Sequence, residues 1–369
     1  MKRLHLFNPD NDLALASGLA NYTPPPAASR LRRAGEALPL WYGTDGDAFV
    51  STGTDARWLD AMRSAFGMDV DVFPGDASAY SPAPWGWSAA TRADFRHMRF
   101  SDSALPSTAQ IDAMRALSHR RTAAEIQAML PKQYLTPAAV EVRSFAELQG
   151  VMSKWPEAVV KLPWSSSGRG TLGVSRTELS ARHAAIEGSI RRQGSVMVEP
   201  KHNKGIDFAM LFDMESGHAC YRGLSLFDAD ISNGYAGNNI MPQPEMEELI
   251  KSAVGAEALD EVRQALIPAL EQIVGAAYSG PLGIDFFNVP ETGHIALAEM
   301  NLRRTMGRLC LDFADRYLAA GARARFEVHP YSPGADATPA PTIFNGRLHG
   351  GTLNLNPPAS DFSFTVAVK

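Results

Sequence analysis

Short apolar runs broken by polar turns recur along this chain, and stretches with helical spacing fall between many of them. Leu4-His5-Leu6-Phe7 reads as a first strand that empties into the polar loop Asn8-Pro9-Asp10-Asn11-Asp12. After the connector Tyr22-Thr23-Pro24-Pro25-Pro26 comes an Ala/Arg-rich helical segment over 27–36, and the run 37–42 reads as another strand. A helix over 55–66 precedes the strand Val70-Asp71-Val72-Phe73, and Pro82, Pro84, Trp85 and Trp87 mark a loop. Alternating strands and helices predict an open α/β sheet over 1–104.

A second unit is expected over 105–194. Helices are predicted over 108–118, 122–130 and 144–154, the last opened by the capping-box pair Ser144 and Glu147. Trp155-Pro156 stops that helix, and 158–162 is a buried strand ending near Lys161. A third unit, 195–369, begins with the strand 195–198 and its exit Glu199-Pro200-Lys201. It continues through the apolar segment 206–212, helices over 245–251 and 259–277 with a break or kink at Pro268, and a helix over 309–320. A final strand is expected over 362–366 within a terminal extension.

The most informative pattern in that unit is GPLGIDFF followed by IALAEMNLRR. Two strands joined by the turn 288–294 set Asp285 beside Glu299. Period-two alternation puts Glu299, Asn301 and Arg303 on one face and Ala298, Met300 and Leu302 on the other. Two carboxylates and an amide oxygen are the hard ligands magnesium requires, and Arg303 and Arg304 can hold the anion that the metal neutralises. A hairpin with a solvated charged face fits the same residues.

The sequence 163–174 offers a second candidate site. Ser166, Ser167, Gly168, Arg169 and Gly170 combine close backbone approach, hydroxyl donors and a cation, which suits a loop folded over phosphates; Lys161 on the entering strand strengthens that reading. The Gly-Lys-Ser/Thr ending of a P-loop is absent. Glu199 can accept from a purine amino group, Lys201 can approach phosphates, and Asp207 can accept ribose hydroxyl bonds. Asn8, Asp10, Asp12 and Arg222 are candidate substrate contacts, with turn formation, helix capping and surface pairing as the competing roles.

Composition narrows the field of functions. The 369 residues carry a net charge of −5, which removes any global bias toward nucleic acid or anionic membrane. No apolar run reaches the length of a bilayer span and the N-terminal stretch is not signal-like, so a cytoplasmic protein is expected. Cys220 and Cys310 show no CxxC spacing, which argues against a thiolate zinc site or a disulfide framework. His329 has no ligand-spaced partner and reads as structural.

Taken in order, these motifs resemble the ATP-grasp superfamily, and within it the ATP-dependent carboxylate-amine ligases, from Leu105 through Arg308. VVKLPWSSSGRGTLGV resembles the family's phosphate-covering hairpin, VMVEPK its adenine connector, GIDFAM its ribose strand, and the Asp285, Glu299 and Asn301 pair of strands its metal centre. The resemblance implies an ATP-grasp fold preceded by an α/β domain. It also implies ATP and Mg2+ as cofactors, with Mn2+ as an alternative metal. The implied reaction activates a small-molecule carboxylate as an acyl-phosphate for a nucleophilic co-substrate, with Arg303 and Arg304 stabilising the transferring charge. A phosphotransferase or a non-catalytic ATP-binding regulator is the alternative, and a homo-oligomer is compatible with either. Two departures stand out. Ser118-His119-Arg120-Arg121 occupies the place of a common lysine, leaving Arg120 and Arg121 as candidates, and Asp207 replaces the commoner glutamate.

Overall fold

The computed structural model describes residues 2–165, 170–229, 234–331, 339–358 and 360–369. The N-terminal sheet is parallel, with Asp71–Val72, Ala48–Phe49, Lys2–Leu6 and Tyr80–Pro84 side by side in that order. Two local expectations fail here, both at prolines. The segment 37–42 is not a strand: Leu38–Trp41 forms a 3-10 helix, all four side chains are buried, and the Trp41 indole donates to the Leu355 carbonyl at 2.7 Å. Pro39 has no N–H to give a ladder and sits where a helical first turn needs none. Conversely, Pro82 and Pro84 lie in a strand rather than a loop. Tyr80–Pro84 is the sheet edge, where a missing donor can be tolerated.

A small antiparallel sheet follows, ordered Val140–Val142, Val196–Pro200, Glu157–Lys161, Thr171–Ser175. It has its own core, in which Val142, Ala158, Val160, Val174, Val196 and Val198 meet Leu148 and Ile186 from helices Phe145–Met152 and His183–Gln193. The Ser144 hydroxyl accepts from the Glu147 N–H at 3.2 Å, as its sequence signature predicts, but Glu147 returns its carboxylate to the Arg143 N–H at 2.8 Å.

The largest element is an eight-stranded antiparallel sheet. His294–Asn301 forms one edge, followed by Gly280–Val289, Asp207–Glu215, His218–Ala229, Tyr235–Ile240, Ala324–Pro330, Phe362–Val368 and Thr352–Asn354. One face packs on helices Gln243–Val254 and Ala256–Ile273, burying Phe208, Phe212, Ile284 and Phe286 against Ile250, Leu259 and Leu266. Pro268 lies inside the second helix, which continues through it without a break. Helix Met306–Tyr317 packs against strands of the same sheet and joins a second core, in which Phe7, Trp41 and Trp85 meet Phe313, Phe326 and Phe364. Each of these large side chains, fully buried, contributes roughly 1.5–3 kcal/mol. The terminal extension is therefore part of the sheet and seals the N-terminal unit onto it: Phe7 and Phe364 meet edge to face at 6.1 Å. Among the described residues, no helix is long and apolar enough to cross a membrane.

Candidate active site

The small sheet and the large sheet face each other across a cleft of about 880 Å3. Lys161, Glu199 and Lys201 enter it from one side, Asp207, Asp285, Glu299 and Asn301 from the other, and Asp10 and Arg303 from the N-terminal end. The strand pair sets the acids. Asp285 lies opposite Glu299 and Gly283 opposite Asn301, with a bulge between Asp285 and Phe286. Because Phe286 pairs with Leu297, Ala298 is the extra residue, and it lines the cleft beside Glu299. Strict alternation would have sent Ala298 to the opposite face with Met300 and Leu302, which do pack in the core. The bulge re-aims one residue and leaves Glu299 and Asn301 both facing the cleft.

Around these acids the charges are tightly disposed. Asn301 donates its side-chain N–H to the Asp285 carboxylate at 2.8 Å, which leaves the amide oxygen as an acceptor. Burial, and then the charge of Glu299, raise the pKa of Asp285 well above the usual carboxylate range. Glu299 pairs with the Arg120 guanidinium. Arg120 also donates to the Leu162 carbonyl at 3.1 Å and the Ser165 hydroxyl at 3.2 Å, so it ties the exit of the Lys161 strand to the acid strand across the cleft. Arg121 turns instead to Glu141 at 3.5 Å. Of the two arginines that the sequence left open, Arg120 lines the cleft.

On the facing sheet, buried Lys161 pairs with Glu199 at 2.6 Å. Lys201 lies at the rim with Glu157, 3.2 Å away and half exposed. Asp207 has its pKa raised by burial and meets Lys204 at 3.3 Å. Ser166, Ser167, Gly168 and Arg169 lie outside the described residues. Gly170 closes the hairpin: its carbonyl accepts from the Leu162 N–H at 2.9 Å, at φ 75°. A Cβ there would stand 2.7 Å from a Leu162 methyl, so glycine serves the turn.

Four residues expected at the site are held elsewhere. Arg304 binds Asp312 and lies over the Tyr42 ring at 4.0 Å, under the N-terminal unit rather than in the cleft. Arg222 pairs with Asp213 at 3.2 Å, in a network with Arg308 and Asp312. The Asn8 side chain clamps its neighbouring loop, donating to the Gly86 carbonyl at 2.8 Å and the Thr91 hydroxyl at 3.1 Å. Asp12 takes Arg303 in a forked pair, with contacts at 3.1 and 2.7 Å, and thereby positions that arginine. Asp10 alone of the loop acids lines the cleft.

No family model matches the chain, and no curated protein matches it. Solved structures do. Over its whole length, at 10% identity and a TM-score of 0.57, the chain superposes on 88% of the Campylobacter jejuni biotin carboxylase solved as a β,γ-ATP complex. It also superposes, at 13% identity and a TM-score of 0.54, on 86% of the biotin carboxylase domain of Hydrogenobacter thermophilus 2-oxoglutarate carboxylase, solved with MgADP, ADP and bicarbonate. With N5-carboxyaminoimidazole ribonucleotide synthetase of Thermus thermophilus, 99% of this chain matches 93% of that one at 14% identity and a TM-score of 0.52. This is the ATP-grasp fold.

Within the ATP-grasp cleft of this chain the sequence reading missed two side chains. His202 and Lys204 both line the cleft between the two sheets. The His202 Nε2 atom is buried without a hydrogen-bond partner among the described residues, and burial lowers the pKa of the ring. Their only signal in the sequence was a position just after the VMVEPK strand, in a stretch without periodicity. Among the described residues no group of three or more His, Cys, Asp and Glu side chains converges, so the metal candidate is two carboxylates plus the Asn301 amide.

Proposed function

We propose that the chain is an ATP- and magnesium-dependent ligase. In this reading it activates a small-molecule carboxylate as an acyl-phosphate, which an amine or related nucleophile then attacks. The observation that carries the proposal is the meeting, in one cleft, of Asp285, Glu299 and Asn301 on the large sheet with Lys161 and Glu199 on the small one. The ATP-grasp fold and neighbours solved with ATP or MgADP support a nucleotide between those sheets.

The residues fit a divalent cation. Asp285 and Glu299 bring two carboxylates together, Arg120 pairs with Glu299, and burial first, then the charge of Glu299, raise the pKa of Asp285. Asn301 offers a third oxygen. When bound there, Mg2+ supplies charge neutralisation at phosphate oxygens. The remaining tasks fall to this chain's own side chains. Lys161, held by Glu199, presents a fixed ammonium to phosphate oxygens. Glu199 and Asp207 provide acceptors for a nucleoside. Arg120 can pass from the Glu299 carboxylate to a phosphate, since its backbone and Leu162 contacts hold it at the cleft. Arg303, fixed by Asp12, orients an anionic substrate oxygen and stabilises charge as the phosphoryl group moves.

Hydroxylamine trapping tests the reading. A panel of small carboxylates incubated with ATP, Mg2+ and hydroxylamine should yield a hydroxamate from at least one member, with ADP and phosphate in equal amounts. A stable phosphorylated product without hydroxamate would assign a phosphotransferase instead, and nucleotide binding without turnover a regulator.

A further inference from the structure

Arg120 stands beside the exit of the Lys161 strand and reaches three groups at once. Its guanidinium donates to the Leu162 carbonyl at 3.1 Å and to the Ser165 hydroxyl at 3.2 Å, and the remaining nitrogen pairs with the Glu299 carboxylate. A planar fork of N–H groups can serve separate acceptors in fixed directions, whereas a lysine ammonium acts as a point charge. The backbone N–H of Arg120 is held independently, on the Pro163 carbonyl at 3.1 Å. The guanidinium can therefore turn while the root of the side chain stays in place.

The ion pair falls on one of the two carboxylates of the metal candidate. Both partners are shielded, with side-chain exposures of 9% for Arg120 and 22% for Glu299, so water screens the contact little. Lys161, Lys204 and Arg303 also line the cleft, and each is paired with a different acid, Glu199, Asp207 and Asp12. Asp285 takes the Asn301 N–H and feels the charge of Arg303 from a distance. A divalent cation that arrived alone would meet a Glu299 carboxylate already neutralised, with a fixed positive charge beside it. Phosphate oxygens alter that balance, because they offer the fork a stronger anionic acceptor and free Glu299 for the cation.

We propose that Arg120 is an internal counter-cation that keeps free divalent metal off the acid pair until nucleotide phosphates draw the guanidinium away from Glu299. The inference rests on the metal and nucleotide assignments of the ligase reading. It makes Arg120 a positioning residue that ties metal binding to phosphate binding.

Mn2+ titrated into the full chain and followed by electron paramagnetic resonance tests it without turnover. Binding at the acid pair is the part that Asp285→Asn removes. Without nucleotide, Arg120→Gln should bind Mn2+ there at least about tenfold more tightly than the wild-type protein. Arg120→Lys, which keeps a cation but not the fork, should behave as wild type, and wild type should acquire the site when ADP is added. Should Arg120→Gln not fold, Arg120→Met, similar in length and uncharged, takes its place. Equal Asp285-dependent affinity in wild type and the uncharged variant, with or without ADP, overturns the proposal and leaves the metal assignment standing. So does a gain that survives Asp285→Asn, or one equally large in Arg120→Lys, which would mark loosened packing rather than lost charge. Mn2+ binding that never depends on Asp285 in any of these proteins, even with ADP, would refute the metal assignment itself.

Discussion

The cleft holds its polar side chains by two different means at its two ends. On the large sheet, Asp285, Glu299 and Asn301 are aimed by a hydrogen-bonded strand pair, and register alone places them together. At the N-terminal end, Asn8, Asp10 and Asp12 run from the turn after the first strand through the N-cap into the first turn of helix Asn11–Ser17, and three residues with the same spacing take three directions. Asn8 turns into its own fold, Asp10 into the cleft and Asp12 onto Arg303. A pleat orients side chains two apart alike, whereas a turn that winds into a helix sends them in different directions and leaves each to its nearest partner. The strand end should therefore respond to substitutions through chemistry, and the loop end through position.

The sharpest break of this contrast lies in the acid pair. Asp285→Asn and Glu299→Gln should each lower Mg2+-supported ADP release by roughly 1,000-fold, about 4 kcal/mol of transition-state stabilisation, with little change in fold. Steady-state kinetics over a Mg2+ titration, with circular dichroism beside it, decides the matter. Activity within a factor of a few of wild type in both variants would remove the metal assignment.

Asp12→Asn addresses the loop end. The pair it breaks is largely buried, with side-chain exposures of 13% for Arg303 and 15% for Asp12. Leaving the arginine without its carboxylate should destabilise the fold by about 3 kcal/mol in a urea titration. Turnover should fall with it, because Arg303 loses its aim. If stability is unchanged and turnover still falls, Asp12 touches substrate itself, and the loop has two cleft-facing acids rather than one.

The same contrast explains what the sequence showed. The facing of Asp285 and Glu299 and the strand positions of Lys161 and Glu199 follow from periodicity, which local sequence carries, while the ATP-grasp fold was implied by the resemblance of the motifs to that family. The bulge at Ala298 was not legible, since no residue there demands one. Arg303 and Arg304 are neighbours of identical chemistry, and what separates them is a partner far away in the chain or on the next helix. Asp12 draws one and Asp312 the other. Long-range pairing of this kind leaves no periodic trace. The 3-10 helix at 38–41 reads as a strand in the sequence because four buried apolar residues look alike in either state.

Lys161→Ala should have a smaller effect. The lysine is buried and already paired with Glu199, so its removal deletes one cation from the phosphate side of the proposed site and frees an acid beside it. ATP affinity should weaken by about tenfold, or about 1.4 kcal/mol, in calorimetric titration. Partial recovery in Lys161→Ala with Glu199→Gln would show that the freed carboxylate, rather than the missing ammonium alone, repels the nucleotide. No loss of affinity in the single variant would take Lys161 out of the nucleotide site.

The smallest expected effect concerns His119, which holds the turn that aims Arg120. Its Nδ1 accepts from the Arg121 N–H at 3.0 Å, so the ring must be neutral there. The Nε2 side meets the Ser195 hydroxyl at 3.3 Å and Glu141 at 3.6 Å, and Trp164 packs on the ring at 4.8 Å. Burial first, then Arg121, with Arg143 and Arg115 behind it, lower the pKa from 6.5 to about 4, against the opposing pull of Glu141. The sign follows from proton binding. The unfolded histidine takes up a proton as pH falls below 6.5 and the folded one resists until about 4, so stability is lost progressively across that window. Between neutral pH and about pH 5.5 the loss is about 1 kcal/mol from this ring. Buried His5, whose pKa is also lowered, acts in the same direction, so the wild-type slope alone cannot assign the effect. The comparison that can is with His119→Gln, whose amide oxygen can still accept from Arg121 but does not titrate. Urea titrations at both pH values should show a drop about 1 kcal/mol smaller in the variant, and ATP turnover at pH 5.5 should be retained better than in wild type. Parallel slopes for the two proteins would mean that His119 stays protonation-silent over this range, and that the Arg120 turn owes its pH stability to Glu141 instead.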